Sequence, residues 1–452
     1  MSASTMRSSS LGRLVSGAAG LLLVGIAATP AHAETIRERQ WHLTAMKAEQ
    51  MWQSSTGKGV TVAVIDSGVD DDLPDLKGQV LPGLDGAPES PGDEHTDYDG
   101  HGTSMAVLIA GTGEADGGNG TYGLAPGVRI LPVRTPDRGL DGARYTEEFS
   151  ETVSRGIRYA TDAGAQVINV SMGVSRGSKQ LTAAVKYALD NGSLVFAAVG
   201  NSGEKSKGNP VEYPGATPGV VGVGAVGKNL RKTAESEYGP QVDMAAPGEE
   251  MYHVCPNGND LCRSHGTSDS TALASASAAL IWSKHPTWTN NQVLRVMLNT
   301  IGAPTDGAKR NDSIGYGIVR PRVALQNPGD PGPADVYPLP DLAAAEASAS
   351  PSASDPAKDG GAVAEGGSTA ATASAPASKD SGNTVLWIGL GLGAALLLGG
   401  SAVAAVMRRR GREAVSLSAA EMPASQMPYP GSTSVPPGSA PQGYPTNGGE
   451  HR

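Results

Sequence analysis

From about Val60 to Leu325 the chain alternates two hydrophobic rhythms. Short, unbroken apolar runs recur: "GVTVAVIDSG" (Gly59–Gly68), "RILPVRT" (Arg129–Thr135), "AQVINVSMG" (Ala165–Gly173), "SLVFAAVGNSG" (Ser193–Gly203), "GVVGVGAVG" (Gly219–Gly227) and "VDMAAPG" (Val242–Gly248). Runs this rich in Val and Ile, closed by Gly, Asn or Asp, predict strands buried on both faces. Between them lie helical spacings. Phe149, Val153, Ile157 and Ala160 mark one helix; Leu181, Val185, Ala188 and Leu189 mark another, ended by Asn191-Gly192. Strand–helix alternation predicts an α/β domain with a mostly parallel sheet and helices on both faces. Ligands of such sheets bind beyond the carboxyl ends of the strands.

Two further apolar runs lie outside this rhythm. Near the start, Arg7 and Arg13 precede "LVSGAAGLLLVGIAATP", and Ala31-His32-Ala33 supplies a small-x-small cleavage site, so residues 1–33 read as a signal peptide. The second run, Thr384 to Met407, holds 24 residues without a charge and is followed by Arg408, Arg409, Arg410 and Arg412. It is long enough to cross a bilayer of ~30 Å as a helix. The arginines predict a cytoplasmic C-terminus, with the bulk of the chain outside. The predicted order is therefore signal peptide (1–33), short N-terminal extension (34–58), α/β domain (59–326), Ala/Ser/Pro/Gly linker (327–383), transmembrane helix (384–407) and cytoplasmic tail (408–452). The linker and tail are too poor in apolar residues to bury a core. "QWHLTAMKAEQMW" (Gln40–Trp52) predicts a helix packed on the α/β domain.

Charge and cysteines narrow the class. The 35 Lys and Arg against 45 Asp and Glu give a formal net charge of −10, which argues against nucleic acid as a partner. The two cysteines, Cys255 and Cys262, lie in the exported part around a turn-forming loop, which favours a disulfide. The acidic loops "DDDLPDL" (Asp70–Leu76) and "DGAPESPGDEHTDYDG" (Asp85–Gly100) carry oxygen ligands without the spacing of a recognised calcium loop. They are expected to be solvated, with no cofactor or metal; structural calcium is the alternative.

Three separated segments carry candidate chemistry. Asp66 ends the first predicted strand. His101 opens an apolar helix in "DYDGHGTSMAVLIAG" (Asp97–Gly111); its rival, His95, has no helix after it. "SHGTSDSTALASASAAL" (Ser264–Leu280) holds seven hydroxyl side chains in seventeen residues. Ser268 stands at the start of its helix, where free N–H groups favour negative charge. Ser270, Ser275 and Ser277 lie further along, where hydroxyls pack or bond back to carbonyls. Taken alone, Asp66 reads as the Asp of an ordinary turn, His101 also as a surface capping His, and Ser268 equally as an N-cap Ser. Together they offer a nucleophile, a base and an orienting carboxylate, in the chain order Asp, His, Ser. Asn201, just past a strand end, offers a donor to an oxyanion.

"VAVIDSGVD", "DGHGTSMA", "GLAPGVRILPVRT", "INVSMG", "AAVGNSG", "YGPQVDMAAPG" and "HGTSDSTALASASAAL" follow one another as in the subtilisin-like serine peptidases, which this sequence resembles; "SIGYGIVRPRVAL" resembles the family's closing segment. The resemblance implies a three-layer subtilisin-like fold, Asp66, His101 and Ser268 as the triad, and Asn201 in the oxyanion hole. It also implies that Ser171, Met172 and Gly173 pair with an extended polypeptide substrate. The order of segments, with only about 25 residues between Glu34 and Gly59, looks like the mycosins, membrane-anchored peptidases associated with type VII secretion machinery. The pattern departs from the family at Ser270, where Ala is usual, at Ala272, where Pro is usual, and at Ala276, where Gly is usual. Val174 replaces a second glycine in the substrate strand. The Ser270 and Ala272 departures motivate an alternative: a stabilising or peptide-binding subunit of a secretion complex with weak or no proteolysis.

Overall fold

The computed structural model describes residues 34–136, 142–255 and 260–349. The expected signal peptide, transmembrane helix and tail lie outside them. Among the described residues no helix is long and apolar enough to cross a membrane.

The N-terminal extension forms three short helices, α1 (Ile36–Arg39), α2 (Trp41–Met46) and α3 (Ala48–Trp52), where one had been expected. Lys47 adopts a left-handed conformation (φ 63°) and breaks the run between α2 and α3. The central elements follow: β1 (Thr61–Asp66), β2 (Leu84–Asp85), α4 (His101–Ala110), β3 (Arg129–Arg134), α5 (Gly142–Asp162), β4 (Val167–Val170), α6 (Lys179–Asp190), β5 (Leu194–Ala198), β6 (Val221–Val226) and β7 (Met244–Pro247). A hairpin, β8 (Met251–Val254) and β9 (Leu261–Ser264), precedes α7 (Thr267–Lys284), α8 (Asn290–Asn299), α9 (Pro321–Gln326) and α10 (Pro340–Ala349). The sequence rhythm had not revealed this hairpin. Its loop is closed by the expected disulfide, Cys255–Cys262.

The seven strands pair in parallel in the order β2-β3-β1-β4-β5-β6-β7. Their continuous apolar runs split by parity, because successive side chains on a strand face opposite sides. Val62 and Val64 of β1, with Val167 of β4, Leu194 and Phe196 of β5, and Val221 and Val223 of β6, join the core built with α4, α7 and α8. Ala63 and Ile65, with Ile168, Val170, Val195 and Ala197, join the core built with α5 and α6. These two cores make the three layers.

Strand order reverses between β1 and β4: the chain leaves β1 toward β3 on one side, and leaves β4 toward β5 on the other. α4, which follows β1, and α6, which follows β4, lie in opposite cores. A crevice opens between the two strand ends at such a point.

The folded unit extends past the expected end of the catalytic domain at residue 326. Arg295 on α8 donates to the carbonyls of Pro331 (2.9 Å), Pro333 (2.7 Å) and Val336. Tyr337 Oη donates to Gly219 O (3.0 Å), and Gly219 N–H donates to Asp341 (2.7 Å). Leu339 is 3% exposed. Residues 327–341 are thus strapped to the domain by few apolar anchors and many carbonyl contacts; α10 runs on to Ala349, and the expected linker beyond it lies outside the described residues. Leu339→Ala is expected to destabilise the protein by about 2 kcal/mol, the low end for a buried leucine. A lowered urea midpoint would show it; an unchanged midpoint would mean that residue 339 is mere tether.

Candidate active site

Asp66 follows Val62 and Val64 with the same parity, so its side chain leaves β1 on the α4/α7 face. It is fully buried. Its Oδ1 accepts from Ser67 N–H (2.8 Å) and lies 2.7 Å from His101 Nδ1. A carboxylate oxygen at that distance calls for the proton on Nδ1, which leaves Nε2 as the basic nitrogen of the neutral ring. His95, the rival, instead lies near Glu94 (3.5 Å) and Asp71 (3.9 Å).

Two glycines let α4 come this close. A Cβ on Gly102 would meet Gly68 O at 2.1 Å and Asp66 Cβ at 3.0 Å; one on Gly68 (φ 124°) would meet Thr96 O at 2.2 Å. The entry of α4 is held by Asp97, which had been expected to be solvated. Asp97 Oδ1 accepts from Gly100 N–H (2.9 Å) and Ser67 Oγ (2.8 Å); Oδ2 accepts from Thr103 N–H (2.8 Å) and Thr103 Oγ1 (2.6 Å). Gly102 N–H closes the ring onto Ser67 Oγ (2.9 Å). Burial raises the Asp97 pKa, and these donors oppose the rise. Asp97 thereby satisfies helix N–H groups that would otherwise be orphaned.

α7 packs against α4, and Ser268 sits in its first turn. Ser268 Oγ donates to Ser171 O (2.8 Å), while Ser171 Oγ donates to Ser268 O (3.0 Å). The two expected site segments are therefore stitched together. Parity places them: Val167 packs toward α7, Asn169 receives Ser275 Oγ (3.0 Å), and Ser171 meets Ser268. On the other flank, Asn201 Oδ1 accepts from Thr267 N–H (2.9 Å) and Thr267 Oγ1 (3.0 Å). Only the amide oxygen can take those donors, so Nδ2 is the group left to donate. Gly266 (φ 129°) makes room, since a Cβ there would lie 3.0 Å from Asn201 Nδ2.

The other hydroxyls of α7 are committed elsewhere. Ser270 Oγ donates to Ala246 O (2.9 Å) and also approaches Pro247 O (3.2 Å), anchoring α7 to β7 rather than competing for His101. Thr271 and Ser277 bond back to Thr267 O and Leu273 O. Val174 pairs with Tyr213 through reciprocal backbone bonds of 2.9 and 2.8 Å. Among the described residues, no group of three or more His, Cys, Asp or Glu side chains converges on a metal position. Asp75, in the first acidic loop, spends its two oxygens on Ala115 and Thr121 N–H groups (2.8 Å each).

The family's sequence profile, the subtilase family, matches residues 57–317, more than half of the chain. The chain belongs to the subtilase family. Among curated subtilases, subtilisin NAT of Bacillus subtilis subsp. natto is 36% identical over 241 residues, which cover 53% of this chain and 60% of that protein. The chain thus spans less than two thirds of the length of several subtilisins it matches. Among solved subtilases, MycP1 from the ESX-1 type VII secretion system superposes with a TM-score of 0.59 at 28% identity, over 68% of this chain and 91% of that one. A chain in the periplasmic assembly of the ESX-5 inner membrane complex gives 0.58 at 28% identity, over 69% and 90%.

Behind this subtilase site lies a buried polar cluster that sequence reasoning missed. Asp269, beside Ser268, is 1% exposed and accepts from Ser264 Oγ. Burial pushes its pKa up, while the Ser264 hydrogen bond and the nearby His253 and His101 pull it down. His253 on β8 is 2% exposed, with Nδ1 2.9 Å from Val254 O. His42 on α2 is fully buried, and neither ring nitrogen has a hydrogen-bond partner. Desolvation first, then Arg37 and His253, lowers its pKa to about 3. A His depressed in this way is neutral in the native state. Its contribution to stability is complete above the unfolded value of about 6.5 and is lost as pH falls toward 3. His42→Leu removes that penalty. Relative to wild type, the variant is expected to gain about 3 kcal/mol in unfolding free energy between pH 7 and pH 4, at 1.36 kcal/mol per pK unit. Urea unfolding at the two pH values measures it; a constant offset would mean that His42 takes up its proton in the fold as it does in the unfolded chain.

Proposed function

We propose that the chain is a serine endopeptidase, anchored in the membrane with its catalytic domain outside the cytoplasm and associated with type VII protein secretion. The observation that carries the peptidase reading is the 2.7 Å contact of His101 Nδ1 with the buried Asp66, with Ser268 opening the neighbouring helix. In this reading His101 Nε2 takes the Ser268 hydroxyl proton as Oγ attacks the scissile carbonyl. Asp66 holds the ring in the competent tautomer and stabilises the imidazolium. Asn201 Nδ2 and the Ser268 N–H bind the oxyanion. The imidazolium then protonates the leaving amine, and water, activated by the same ring, hydrolyses the acyl-enzyme. The substrate backbone lies along Ser171-Met172-Gly173 as an added strand. No cofactor enters these steps.

Two features support the setting. The charge-free run Thr384–Met407 with its trailing arginines fits one span with the C-terminus inside. The likeness to MycP1 and to a chain of the ESX-5 assembly supports secretion machinery as a partner. That second likeness also favours the alternative, a stabilising subunit with little or no proteolysis.

A fluorophosphonate probe is expected to label the wild-type protein and not Ser268→Ala. Lack of labelling in well-folded protein would overturn the peptidase reading. Asn201→Ala is expected to lower kcat by about 10²–10³ with little change in KM, the range established for losing one such donor in a subtilisin. In cells, secretion that survives Ser268→Ala but fails without the protein would favour the subunit role.

A further inference from the structure

We propose that Glu237, held as an uncharged acid, is a positioning residue for Asn201, and that its ionisation turns the site down. The inference rests on the peptidase reading, in which Asn201 binds the oxyanion, and adds the group that sets where Asn201 stands.

Asn201 lies in the turn Gly200-Asn201-Ser202-Gly203, just past the end of β5. Thr267 fixes this turn to α7. Its N–H and Oγ1 donate to Asn201 Oδ1, and its Oγ1 accepts from Gly200 N–H (3.3 Å). The second support is the segment Glu235-Ser236-Glu237. Gly203 N–H donates to Glu235 O (2.8 Å), and Glu237 N–H donates to Gly200 O (3.0 Å). Ser202 N–H donates to Glu237 Oε1 (3.2 Å). The approach is too close for side chains on the turn. A Cβ on Gly200 would lie 2.4 Å from the carboxyl carbon of Glu237, and one on Gly203 would lie 2.1 Å from Ser236 O. The Glu237 carboxyl therefore bears on the residue before Asn201 and bonds the residue after it.

Glu237 is fully buried, and its Oε2 has no hydrogen-bond partner. The titratable groups around it offer no relief. Lys232 spends its ammonium on Thr233 O and Ser236 O (2.7 Å each) and lies over the Tyr238 ring. Glu235 takes His265 (2.9 Å). The turn itself carries no titratable side chain, and Glu212, whose charge reaches Glu237, has the same sign. A carboxylate in that place is uncompensated, so the fold holds the acid form. Burial first, and then Glu212, raises the Glu237 pKa to about 8.

Ionisation harms the site in two ways. It sets a negative charge against the turn that presents Asn201, while the transition state develops another negative charge at the amide of Asn201. It also leaves a buried carboxylate with one donor, and the turn must shift to solvate it. The neutral acid does neither. Glu237 touches no reacting atom; it acts through the Gly200–Gly203 turn.

The test follows the rate constant of fluorophosphonate labelling from pH 6 to pH 9.5 in the full-length wild-type protein and in Glu237→Gln. Gln keeps an oxygen for Ser202 N–H and cannot ionise. His101 titrates in both proteins, so the ratio of variant to wild type isolates Glu237. That ratio is expected to rise by on the order of tenfold between pH 7 and pH 9, the loss of neutral form for a group with a pKa of about 8. A ratio that stays constant would make Glu237 a structural support only and overturn the proposal. The wild type is a second readout. Its rate constant should fall above pH 8, and a flat alkaline limb overturns the proposal even where Glu237→Gln does not fold. Labelling at pH 7 with a constant ratio removes the Glu237 role and leaves the peptidase reading standing. No labelling at any pH, in protein that unfolds cooperatively in urea, removes both.

Discussion

A buried carboxylate at the end of a parallel strand has to be satisfied, and the part of this domain around β1 and α4 is arranged around doing so. Asp66 has no exposed surface, and an unpaired charge there would cost several kcal/mol even after relaxation, as an order of magnitude. The backbone of Ser67 supplies one donor and the ring of His101 another. Bringing that ring into reach requires the first turn of α4 to lie against the tip of β1. The absence of side chains at Gly68 and Gly102 and the brace from Asp97 provide for this. The tautomer of His101, its orientation and the position of α4 are consequences of one desolvated charge.

α7 solves a second problem, that of running a helix through the middle of a domain while leaving one hydroxyl at the end where it emerges. Its Ala and Ser residues keep it thin enough to pack on five strands, β1 and β4 to β7, and on α4. Each hydroxyl further inside finds an acceptor in the fold. Ser268 differs by position: it lies where the helix emerges, between the strand end at Ser171 and the amide of Asn201. The substitutions that set this segment apart from its relatives fall on the packed side. Ser270 and Ala272 shape how α7 seats on β7 and the core, and leave the opening unaltered.

The strands and the residues at their tips were legible because they are local. An unbroken Val/Ile run followed by Asp-Ser-Gly, or by Gly-Asn-Ser-Gly, announces a strand end and what it presents. What stayed hidden depends on distant packing. Asp97 and Asp93 look alike in an acidic loop, yet only Asp97 is turned inward by Ser67 and Thr103. His42 and His253 become buried neighbours because α1, just before His42, lies against β8, a pairing that no local spacing encodes. The strap after Asn327 has the composition of a tether; Tyr337 and Leu339 are too few to raise its apolar content, and its hold comes from carbonyls reached by Arg295. The β8–β9 hairpin escaped notice because its second strand, Leu261 to Ser264, is only four residues long and lacks the unbroken Val/Ile run of the sheet strands.

The parity of β1 and β4 has a consequence for how such a chain can diverge. Val62, Val64, Val167 and Leu194 are apolar fillers, and exchange among Val, Ile and Leu at these places keeps the layers intact. Deleting or inserting a single residue within β1 or β4 would turn Asp66, or Ser171, to the opposite layer while leaving every hydrophobic run readable. In these two strands the spelling is free, and the count is what inheritance must preserve.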